Sequence, residues 1–65
     1  MTSTIIARRL GGCYILTPHV DQMARLLGTR IGQSCVVTAG EWFLFRRDNI
    51  AVGRWVEQLD GKRGR

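Results

Sequence analysis

The chain has 65 residues, 45% of them hydrophobic, and ten basic against five acidic side chains give it a net charge of +5. One domain of this length buries only roughly 60% of the surface its unfolded form exposes, so a partner or a second copy is expected to add stability, and a homodimer is the expected state. The apolar content excludes a disordered chain, and no apolar run approaches the ~20 residues of a membrane span, so no membrane contact is expected.

The start, MTSTIIARR, lacks the basic-then-apolar layout and small-residue cleavage site of a secretory signal. A reducing cytoplasm is therefore expected, with Cys13 and Cys35 as thiols, while a Cys13–Cys35 disulfide stays open. The β-branched residues Thr4, Ile5 and Ile6 predict a first strand over residues 3–9. Gly11 and Gly12 are a hairpin signal, and 13–16 is the return strand. Thr17 and Pro18 read as an N-cap and first helical residue for a helix over 18–27, with Val20, Met23, Ala24 and Leu27 as its buried stripe and Gly28 as its C-terminal cap. After a short connection, 34–39 is a third strand, Gly40 turns the chain, and 41–47, with its run Trp42-Phe43-Leu44-Phe45, is a fourth. Asp48 or Asn49 then caps a second helix, on which Val52, Trp55, Val56 and Leu59 share one stripe. Residues 1–61 form the single domain and 62–65 a basic tail.

Read this way, strand-turn-strand-helix occurs twice. At an offset of 29 positions Tyr14-Ile15-Leu16 aligns with Phe43-Leu44-Phe45, and Ala24-Arg25-Leu26-Leu27 with Gly53-Arg54-Trp55-Val56. The expected fold is α+β, a ββαββα domain with an internal pseudo-two-fold repeat and an antiparallel sheet carrying its helices on one face. Successive side chains of Trp42-Phe43-Leu44-Phe45 would then point to opposite faces, leaving an apolar patch on the uncovered side. Tyr14, Trp42 and Leu44 are its expected interface residues.

Catalytic chemistry has little to build on. His19 is the one histidine, beside Asp21 at a helix start, and nothing in the spacing brings it to Cys13. Two cysteines and one histidine far apart make no zinc pattern, and no phosphate loop or dinucleotide glycine fingerprint occurs. No enzyme activity, cofactor or metal is expected.

Nine of the ten basic residues are arginine. The guanidinium fork suits phosphate and carboxylate, although a GC-rich genome also favours arginine, so charge by itself decides nothing. Arg8-Arg9 and Arg46-Arg47 end two expected strands, Arg30 lies on the connection, and Lys62, Arg63 and Arg65 form the tail. Adjacent strand residues point to opposite faces, so one arginine of each dyad joins a given surface, and about four or five phosphate contacts is the ceiling. The expected function is binding to the nucleic-acid backbone through Arg8, Arg9, Arg30, Arg46, Arg47, Lys62, Arg63 and Arg65, in a regulatory setting such as a mobile element. The alternative is a phage- or plasmid-type module that engages an acidic host protein through Tyr14, Trp42 and Leu44.

GEWFLFRRDNIAVGRWVEQL, residues 40–59, resembles the wing and closing helix of small winged-helix DNA-binding proteins of the excisionase and MerR type, where a glycine turn, an aromatic-basic strand, an acidic cap and a tryptophan-bearing helix follow one another. Leu16-Thr17 and Gln22-Met23-Ala24-Arg25-Leu26-Leu27-Gly28 are similar to the first helix of such a domain. The resemblance implies that Arg46 and Arg47 contact backbone from the wing. Only eleven residues separate Gly28 from Gly40, too few for the recognition helix of that family.

Overall fold

The computed structural model describes residues 4–58. Strand β1 (Ile5–Leu10) pairs antiparallel with β2 (Cys13–Pro18) across a two-residue turn in which Gly11 takes φ 62°, a conformation glycine adopts without a Cβ penalty. Helix α1 (Asp21–Leu27) follows, closed by Gly28 at φ 73°, as its sequence predicts. Its start differs from expectation. Pro18 completes β2 opposite Ile5, and its carbonyl accepts a bond from the Gly32 N–H. The Thr17 hydroxyl meets Ser34 at 2.7 Å, so it caps nothing.

Strand β3 (Cys35–Thr38) then pairs antiparallel with β2. The chain departs from expectation at the next residue. Helix α2 (Ala39–Asp48) occupies the stretch expected as a fourth strand, and a 3-10 turn (Ile50–Val52) and strand β4 (Trp55–Gln58) replace the expected second helix. The cause is a capping box. Thr38 Oγ1 accepts the Glu41 N–H at 3.1 Å, and Glu41 Oε1 accepts the Thr38 N–H at 2.9 Å. Glu41 in the first turn and Arg46 and Arg47 in the last also complement the helix dipole. Gly53, by contrast, sits where a second helix would need its interior, and glycine there costs about 1 kcal/mol against alanine.

The architecture is therefore α+β, with the order ββαβαβ in place of ββαββα. The segments expected to repeat take different forms, Tyr14–Leu16 in a strand and Phe43–Phe45 in a helix. The segment that resembles a wing and closing helix is likewise a helix followed by a strand.

The sheet runs β3-β2-β1-β4, and β4 lies parallel to β1, which makes the sheet mixed where an antiparallel one was expected. By these pairings β3 and β4 are parallel to each other at opposite edges. Helix α2 links them, from the Gly12 carbonyl, which accepts the Ala39 N–H, to the start of β1, where the Thr4 N–H bonds the Arg54 carbonyl. It crosses one whole face of the sheet.

That face holds the core. Ile5, Ala7, Tyr14 and Leu16 of the sheet pack with Met23 of α1 and Trp42 of α2. Both helices thus cover the same side, although the second is Ala39–Asp48 and not the segment expected to be helical. Tyr14 is 6% and Trp42 0% exposed, which corrects the expectation that they anchor a partner. On a helix, the four bulky residues of the Trp42–Phe45 run need not alternate between two sheet faces: Trp42 turns inward, Phe45 is half-buried, and Phe43 and Leu44 stand in solvent. The cysteines are thiols on opposite faces, Cys35 opposite Leu16 and Cys13 opposite Thr38.

Candidate functional site

Where α2 meets β4 the surface opens into a crevice of about 470 Å3, lined by Phe43, Arg46, Arg47, Ile50, Gly53 and Trp55. Positions 43, 46 and 47 fall on one flank of α2 by their spacing of three and four, and Ile50 continues that flank on the next turn. Trp55 enters from the first position of β4, where it pairs with Ile5. It is backed by the core. Its ring meets Trp42 edge-on at 5.5 Å and Phe45 at 5.9 Å, while Phe43 rests against the Tyr14 ring at 6.2 Å. The aromatic walls are therefore braced from behind.

The two arginines differ in what holds them. Arg46 is half-buried, bonds Glu57 Oε2 at 2.9 Å, and lies 5.6 Å over the Trp42 ring, a cation–π arrangement. The same carboxylate oxygen accepts the Trp42 indole N–H at 2.9 Å. Glu57 thus ties strand, helix and core together and neutralises Arg46. Arg47 is 73% exposed, and among the described residues its ion pair is with its neighbour Asp48, at 3.4 Å. A contact that long between exposed groups is weak, so the Arg47 guanidinium can turn to another anion.

Other expected site residues are dispersed. Arg8 and Arg9 are both exposed and, as strand alternation requires, lie on opposite faces: Arg9 on the helix side opposite Tyr14, Arg8 on the uncovered side opposite Ile15. Arg30 is exposed on the connection after α1, and Leu44 is 51% exposed on α2. Lys62, Arg63 and Arg65 lie outside the described residues. Cys13 and His19 stand at opposite ends of β2, separated by about 20 Å of strand. Among the described residues no group of three or more His, Cys, Asp or Glu comes together, and no helix is long and apolar enough to cross a membrane.

Phe43, Ile50 and Trp55 are the site residues that sequence reasoning missed. The signal was present in Thr38-Ala-Gly-Glu41, which opens a helix at residue 39 and thereby puts Phe43 on the flank of Arg46 and Arg47. No family model, curated protein or solved structure matches the chain.

Proposed function

We propose that this chain is a small, basic, cytoplasmic nucleic-acid-binding protein that meets the phosphate backbone through arginines on the flank of α2. One observation carries the reading: Arg46 and Arg47 line the same open crevice as Phe43, Ile50 and Trp55. A net charge of +5 adds the long-range attraction that draws a polyanion to such a surface. Arg47 makes the first phosphate contact, and Arg9, on the same side of the sheet, extends the track. Arg46 serves mainly to fix the wall, because its charge is taken up by Glu57.

The informative variant is Arg47→Glu, since reversing Arg46 would place two carboxylates together and disturb the core. Arg47→Glu should weaken binding to random-sequence DNA at least about ten-fold at low salt, whereas Arg25→Glu, on exposed α1, should change it less than about three-fold. Equal losses would mean a diffuse charge effect with no site on α2.

A second reading rests on the sheet face that neither helix covers. Ile6, Leu10, Ile15, Val36 and Val56 lie on it, with Leu10 48% and Val36 66% exposed, and among its described strand residues Arg8 is the charged one. Apolar area around a single cation suits an acidic protein partner. Sedimentation equilibrium decides first between a homodimer on this face and another protein: a monomer leaves the face open to a partner of another kind. A dimer broken by Val36→Lys assigns the face to self-association.

A further inference from the structure

We propose, on the footing of the nucleic-acid reading above, that the crevice between α2 and β4 takes one unpaired nucleotide of a single strand, its base against Phe43 and Trp55 and its phosphate on Arg47. The lining is what favours an unpaired base over a duplex. A helix flank that only met duplex phosphates would carry polar and basic side chains, yet this one alternates Phe43, 55% exposed, and Ile50, 72% exposed, with the two arginines. In a duplex the base faces are stacked and closed to side chains. An unpaired base offers a face of its own, and stacking on an aromatic ring is worth about 1–3 kcal/mol per base whatever the sequence.

The walls need no rearrangement to receive it. Trp55 is held by Trp42 and Phe45, so little of its side-chain freedom remains to be lost on binding, while Phe43, edge-on to Tyr14, is the more exposed wall. A volume of about 470 Å3 lies within the ~300–1,000 Å3 typical of small-ligand pockets, and the crevice opens to solvent. The nearest carboxylate on the β4 side, Glu57, is already bonded to Trp42 and Arg46, so it does not confront the incoming phosphate.

The test is anisotropy titration of labelled oligo(dT) and of a duplex of equal length with the wild-type chain, Phe43→Ala and Phe43→Tyr. The expected result is tighter binding of oligo(dT), a loss of about ten-fold or more for oligo(dT) in Phe43→Ala, restoration in Phe43→Tyr, and duplex binding within about two-fold throughout. Photocrosslinking of bromodeoxyuridine-substituted oligonucleotide to the wild-type chain, which does not depend on any variant folding, should label Phe43 or Trp55. Duplex binding that equals oligo(dT) binding, or no crosslink in the crevice, overturns the stacked base while leaving the broader reading standing if Arg47→Glu still weakens both. Thymidine monophosphate bound as tightly as oligo(dT) overturns the strand and makes the crevice a mononucleotide site. Absence of binding to either nucleic acid at low salt overturns both.

Discussion

Gly53 has an extended backbone, φ 162° and ψ −157°, that any residue can adopt, so its identity is a matter of space. A Cβ there would collide with the Thr4 side chain. Thr4 cannot simply turn aside, because its hydroxyl donates to the Arg54 carbonyl beside its own backbone N–H, and these two bonds fasten the start of β4 to β1. Gly53→Ala is therefore expected to cost about 1–3 kcal/mol in urea unfolding. Thr4→Ser keeps the hydroxyl and removes the methyl group, so in that background the cost of Gly53→Ala should shrink below about 1 kcal/mol. An undiminished cost in the double variant would show that the contact is not the reason for glycine. Cys35 makes a second point at this scale. Burial pushes its thiol above the ordinary value of 9.0. The unfolded chain then ionises first, so this group leaves stability unchanged below about pH 9 and lowers it as pH rises beyond. In a Cys13→Ser background the pH at which the alkylation rate is half-maximal should accordingly be higher for Cys35 in the folded chain than in the urea-unfolded chain, and an equal or lower midpoint contradicts the burial.

Helix α2 decides the fold, and it is the element that sequence reading misassigns. Trp42-Phe43-Leu44-Phe45 is strand-like in composition, but the local capping chemistry of Thr38 and Glu41 and the chance to bury Trp42 from a helix outweigh that preference. Thr38→Ala removes the acceptor for the Glu41 N–H and is expected to cost about 1 kcal/mol, with Thr38→Ser close to neutral; far-ultraviolet circular dichroism and thermal melts check both. No difference between Ala and Ser would mean that the box does not hold the helix. Elements whose signals are local were readable: the glycine turn after β1, the Gly28 cap and the strand character of Cys35–Thr38. Strand β4 was not. Its pairing is with β1, some fifty positions away, and Val52, Trp55 and Val56 are spaced so that a helical stripe fits them equally well.

For the whole molecule, the sheet order β3-β2-β1-β4 forces the connection between its two parallel edges to cross the core face, and that crossing brings the arginine flank of α2 to the aromatic start of β4. Charge was legible from composition, and strand alternation implied a bare apolar face, but its residues were misassigned: Tyr14 and Trp42 are core and Leu44 stands on α2, while Ile6, Ile15 and Val36 lie on that face. The crevice was not legible, because it depends on a long-range parallel pairing that no local pattern announces. Nucleic-acid binding by phosphate contacts at this surface is tested by the affinity for single-stranded DNA as a function of salt. With about three to five phosphates engaged, a plot of log K against log salt should fall with a slope of about −2 to −3.5, and Arg47→Glu should make it shallower by about one contact. Affinity that is independent of salt, or no binding at low salt from a chain of charge +5, would contradict the account.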